Sequence, residues 1–113
     1  MPLTEGIRAG EHILSEANGK RSRETGVLAT GENLTAGTVL GRLTAGGNLV
    51  AYNNAGTDGE EVAVGILYNN VDATDADTNA VYSARDTEVS SAILVGLDQG
   101  AITDLAALGI ITR

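Results

Sequence analysis

The chain has no cysteine, no tryptophan and no phenylalanine, and one residue each of proline, histidine and methionine. Without cysteine there is no disulfide framework and no thiolate chemistry, and redox usage fixes no compartment. The aromatics are Tyr52, Tyr68 and Tyr82, so a core must come from Val, Leu, Ile and Ala. Lysine occurs once, and with a pI near 4.3 the cations needed to displace phosphate counterions are lacking, so nucleic acid is not the expected partner. No apolar run approaches the length of about 18 residues that spans a membrane. The start, MPLTEGIRAGEHIL, lacks a continuous apolar stretch and does not read as a signal peptide.

What is present is an asymmetry of charge. Residues 1–23 hold four of the seven basic residues (Arg8, Lys20, Arg21, Arg23) and three of the fifteen acids (Glu5, Glu11, Glu16), a net of +1. The remainder carries −9 of the total −8. A weakly basic, polar segment therefore precedes an acidic body. At 113 residues the chain is one domain. If its first part is loose, the body buries only roughly 60–65% of its extended surface, so association would help it. Glycine is 15 of 113, close to twice the usual share of about 7%, which suits short strands and tight turns.

Residues 1–22 show no sustained period, and Pro2, Gly6, Gly10 and Asn18-Gly19 interrupt them. Arg23–Thr30 reads as a strand and Glu32-Asn33 as a turn. Thr38–Thr44 alternates with period 2, Gly46-Gly47-Asn48 is a hairpin turn, and Leu49–Tyr52 returns. Asn53–Glu61 is a polar, glycine-rich loop. Val62–Val71 is the most apolar stretch and the expected central strand. After an acidic turn over 72–79, Ala80–Arg85 and Glu88–Val95 read as a strand pair around Asp86-Thr87. Asp98 then suits a helix N-cap, with Ile102, Leu105 and Leu108 as an apolar stripe and Gly109 at the C′ position. Ile110–Thr112 is a final strand. The expected fold is mostly β with one short α-helix.

Little in the chain carries chemistry. His12 lies in the irregular segment, without the scaffold a catalytic triad requires, and is expected to be a solvated or interface polar residue. Asp75, Asp77 and Asn79 resemble the opening of a calcium loop, and Asp86 falls at its twelfth position, but Ala80 stands where the sharp turn needs glycine. An acidic turn is the better reading. Asp58, Glu60 and Glu61 read as solvated loop charges, and no glycine motif matches a phosphate-binding loop. No enzyme activity, metal or cofactor is expected. Lys20-Arg21-Ser22-Arg23 is a short basic patch fit for an acidic surface.

The run Ser15–Glu24 (SEANGKRSRE) resembles the start of the head decoration proteins of tailed phages, the family of the phage lambda capsid-stabilising protein. Ala36–Gly41, Leu49–Tyr52 with the glycine-acid loop after it, Ala63–Leu67, and the ending Leu105–Ile111 resemble the family's core, short helix and last strand, in order and spacing. The likeness covers roughly residues 15–113. One departure is Leu94-Val95-Gly96, where the lambda protein carries Trp-Pro, which puts an aromatic contact there in doubt.

The resemblance implies a barrel-like, β-tulip body over 23–113 and a flexible arm over 1–22 that orders on the capsid. It implies a homotrimer that binds the major capsid protein at threefold and quasi-threefold positions on the outer surface of an expanded head. There it would stabilise the shell against packaged DNA. Such a protein would be assembled in the host cytoplasm and end on the virion. The expected docking residues are Ile7, His12, Ile13, Leu14, Ser15, Asn18, Arg21 and Arg23. Ile7, Ile13 and Leu14 would fill apolar pockets, Arg21 and Arg23 would meet carboxylates, and removal of residues 1–14 is expected to leave a folded trimer that cannot bind. Against this stand a β-barrel adhesin or carbohydrate-binding module, weakened by the scarcity of aromatics, and a small hydrolase or metal enzyme, weakened by the single histidine.

Overall fold

Two strands in the middle of the chain are apolar on both faces, and they organise the rest. A computed structural model describes residues 12–16 and 22–113. β1 is Ile13–Glu16, β2 Arg23–Leu28, β3 Asn33–Leu34, β4 Val39–Arg42 and β5 Leu49–Ala51. β6 is Ala63–Leu67, β7 Val71–Asp72, β8 Thr78–Ser83 and β9 Thr87–Val89. A helical turn over Ser91–Ile93, helix α1 over Gln99–Ala107 and strand β10 over Ile110–Thr112 complete the chain.

β2, β5, β4, β6 and β8 close in that order into a barrel. Leu28, Leu40, Leu49, Leu67 and Tyr82 fill one side of this wall, with small residues such as Ala73 and Ala80 between them. Val39, Tyr52, Ala63 and Ile66 point the other way, into a second core completed by Val89, Ala101, Leu105 and Ile110. β4 and β6 thus have an apolar neighbour on each face, which is why Val62–Leu67 reads as a continuous apolar run rather than an alternation. The strand expected over Val62–Val71 ends at Leu67, and Val71-Asp72 is a separate short strand paired with β3. A bulge adds to this. Leu40 pairs with Gly65 but Gly41 with Ala63, so Val64 is an extra residue and the alternation changes phase there.

The β4–β5 hairpin turns where expected, with Gly46 and Gly47 at φ 82° and 75°, conformations that a Cβ would oppose. Helix α1 starts at its expected cap, as the Asp98 carboxylate accepts from the Ala101 N–H at 2.8 Å. The same oxygen accepts the Tyr52 hydroxyl proton at 2.9 Å, and Asp104 accepts from the Ala63 N–H at 3.0 Å. Two helix carboxylates therefore hold α1 on the barrel. Burial, and then the bond to Asp98, push the Tyr52 hydroxyl up to about 12. Asp98→Ala is expected to cost about 1–2 kcal/mol, from the lost cap and from a buried hydroxyl left without its acceptor. Urea unfolding checks this; Asp98→Asn, which can still cap, should retain most of the stability.

Three expectations are corrected. The turn falls at Thr30-Gly31, while Asn33-Leu34 is a strand paired with Val71-Asp72. The expected hairpin of 80–85 with 88–95 does not form. β8 pairs with β2 and β6, whereas β9 leaves the barrel and joins a separate sheet ordered β1-β9-β10. The chain makes this change at Asp86, whose φ of 51° is the left-handed conformation that Asp tolerates better than most residues. After Ser90 the chain is not a strand; Val95 bridges Thr38 in parallel beside the start of β4. On α1, the buried residues are Ala101 and Leu105, and Leu108 is 38% exposed.

Candidate functional site: the root of the N-terminal segment

Of the expected docking residues, Ile13, Leu14 and Ser15 lie on β1, an edge strand of the small sheet, His12 immediately precedes it and Arg23 begins β2. β1 runs antiparallel to β9, pairing Ile13 with Val89, Ser15 with Glu88 and Glu16 with Thr87. Between Ile13 and Ser15 the register shifts, leaving Leu14 as the extra residue. Leu14 is 55% exposed, the highest among the large apolar side chains described. On the far side of β9, β10 pairs in parallel.

His12, immediately before β1, is fully buried, which overturns the expectation of a solvated or interface side chain. Its backbone carbonyl accepts from the Ser90 N–H at 2.8 Å, extending the β1–β9 pairing. Its Nε2 lies 3.4 Å from the Ser83 hydroxyl on β8, and its Nδ1 has no partner among the described residues. Burial holds its pKa down, to about 4, against the opposing field of Glu16.

Glu16 closes the other end of β1. It accepts from the Ser22 hydroxyl at 2.8 Å and from both Nε and Nη2 of Arg23, at 3.2 and 2.5 Å. Burial pushes the Glu16 carboxyl upward, but these bonds outweigh it and leave the group below its ordinary value. Arg23 also lies 4.2 Å above the Tyr68 ring, a cation–π contact. The guanidinium expected to meet a partner's carboxylate is thus engaged within the chain. Next to it, Arg42 donates to the Tyr82 hydroxyl at 2.5 Å, the hydroxyl donates to Glu24 at 3.0 Å, and Glu24 pairs with Arg85. Ile7, Asn18 and Arg21 lie outside the described residues, as does the side chain of Ser15.

No other part of the described surface assembles a reactive centre. Asp77 accepts from both the backbone and the hydroxyl of Thr30, at 2.8 and 2.7 Å, and from Asn48 at 3.3 Å. It ties the turn after β2 to β8, so the acidic segment is a structural turn. No group of three metal-ligating side chains comes together among the described residues. Tyr52 and Tyr82 are buried, and Arg23 covers one face of the half-buried Tyr68.

Sequence reasoning missed Glu16, Ser22, Tyr68 and Ser83. Glu16 to Arg23 spans seven residues with an irregular segment between, and no periodic signal relates them. Nor does any relate Ser83 to His12.

No curated protein matches the chain at a significant level. The family model of the bacteriophage lambda head decoration protein D does, over residues 2–110. That span takes in the barrel, the helix, strands β1 and β9 and the first residue of β10. The match covers nearly the whole chain, and the chain belongs to the bacteriophage lambda head decoration protein D family.

Proposed function

We propose that this protein is a structural, non-enzymatic cement protein of a phage head. It acts as a homotrimer on the outer surface of the expanded shell, at threefold and quasi-threefold positions. It binds the major capsid protein and stabilises the shell against packaged DNA. The family match over residues 2–110 carries this reading.

The N-terminal segment is the docking element. An extended chain can add a strand to an exposed sheet edge, with backbone hydrogen bonds setting the pairing and side chains filling pockets. Exposed Leu14 and the preceding Ile7 supply apolar groups, and Arg21 supplies a cation. His12 and Arg23 act differently: His12 is buried in the body and Arg23 is bonded to Glu16, so both hold the root of the segment in place. Ordering costs about 1–2 kcal/mol per residue in backbone entropy, so one segment binds modestly. Three on one trimer gain from effective concentration, raising avidity by roughly 10²–10⁴ where three capsid edges are correctly spaced. Binding should therefore depend on expansion of the shell. The protein is expected to co-sediment with expanded heads and not with unexpanded precursor shells; equal binding to both, or to neither, would overturn the reading.

A further inference from the structure

His12 is the buried side chain, among the described residues, that can take up a proton near neutral pH. A neutral imidazole offers one donor and one acceptor. Here Nε2 has the long 3.4 Å contact to Ser83 and Nδ1 has none among the described residues. A second proton would place a full charge and another N–H in a site closed to solvent, which is costly unless a counter-charge or acceptor is at hand.

Among the described residues the surroundings offer little. On its own strand, Glu16 acts on the ring, but its oxygens are already engaged by Ser22 and by Arg23 of β2. β8 presents neutral Ser83, and on β9 Glu88 is bonded to Arg113 while Thr87 and Val89 are neutral. The attachment of β1 is also slight. It is four residues long, lies at a sheet edge, has one neighbouring strand and is interrupted at Leu14. β2, by contrast, pairs with β8 along six residues inside the closed barrel.

We propose that His12 is an acid-sensitive latch on the root of the N-terminal segment: on taking a proton the ring leaves the core, and Ile13–Glu16 releases from β9 while the barrel stays closed. This goes beyond the decoration role and holds whether or not the protein is a capsid trimer.

The direction follows from linkage. In the docked state the ring titrates at about 4, and when released at its ordinary 6.5. Between these values the released form binds more protons, so docking is full above about 6.5, weakens as the pH falls, and loses nothing further from His12 below about 4. Across that window the ratio of released to docked β1 should rise on the order of 300-fold. Glu16 acts in a separate, lower window. Its docked carboxyl sits below its ordinary 4.5, so its contribution is lost only as the pH falls beneath that.

The test is amide hydrogen exchange on the full chain between pH 7 and 4.5, corrected for intrinsic rates. Protection of the amides of residues 13–16 should fall by roughly tenfold per pH unit below 6.5, while β6 and β8 keep theirs. In His12→Leu, which cannot charge, protection at β1 should stay level. Should that variant not fold, the His12 ring resonance of the natural protein gives the same answer, titrating together with the loss of β1 protection. Constant protection in the natural protein, an equal fall in His12→Leu, or a ring that titrates near 6.5 with β1 still protected would each overturn the latch.

Discussion

Deleting residues 1–11 is expected to leave a folded protein that no longer co-sediments with expanded heads. The position of the cut matters. His12 is fully buried, its carbonyl accepts from Ser90, and Ile13–Glu16 pairs with β9. A cut after residue 14 removes that ring and half of β1, so lost binding could then reflect a damaged body. A cut after residue 11 leaves the root intact and takes away the part of the docking segment that precedes it, Ile7 included, while Leu14 and Arg21 stay. If three such segments act together on one trimer, their loss should weaken attachment by about 10²–10⁴. Pelleting over a protein concentration series measures this, and an unchanged thermal midpoint confirms that the body is whole. Undiminished binding by the truncated protein would move docking to the body.

Leu105→Ala is expected to cost about 2–5 kcal/mol, the range for emptying a leucine-sized site in a packed core. Leu105 is fully buried, and with Ala101 it is all that α1 buries. It packs in the core that joins Val39 and Ile66 of the barrel to Val89 and Ile110 of the small sheet. Because β10 follows α1 through the single turn at Leu108-Gly109, a loosened helix should loosen β10 as well. Domains of this size have about 5–15 kcal/mol in all, so the loss is a large share. Urea unfolding with an unchanged slope gives the magnitude, and exchange at Ile110–Thr112 reports the coupling. Leu108→Ala, at the partly exposed end of the predicted stripe, should cost under about 1 kcal/mol. Equal losses at both positions would mean that α1 is not anchored through Leu105.

The contrast between these two leucines shows how far periodicity carries. Spacing placed Ile102, Leu105 and Leu108 on one helix face, but the depth of each depends on what it meets. Leu105 meets the back of β4 and β6; Leu108 lies at the C-cap, past the edge of that core. The β8–β9 segment teaches the same point for strands. Residues 78–83 and 87–89 are both strands, and adjacency favours a hairpin, yet their partners are β2 and β6 on one side and β1 and β10 on the other. Strand character is local, whereas partner choice is settled by competition among all edges at once.

Features governed by neighbours a few positions apart were legible from the chain. The glycine turn at 46–47, the Asp98 cap, the helix and the final strand each follow from short-range sterics or hydrogen bonding and stand where the residues put them, while β6 keeps only the first half of its expected span. The scarcity of His, Cys and aromatics likewise bounded the chemistry before any fold was known. Folding alone decided the character of the arm's root. His12 and Ser83 are 71 residues apart and meet only because the barrel carries β8 beneath β1. Glu16, Ser22, Arg23 and Tyr68 become one lock by the same route. Whether a polar residue faces water or is sealed away depends on which distant surfaces close over it, and no local pattern in the chain encodes that.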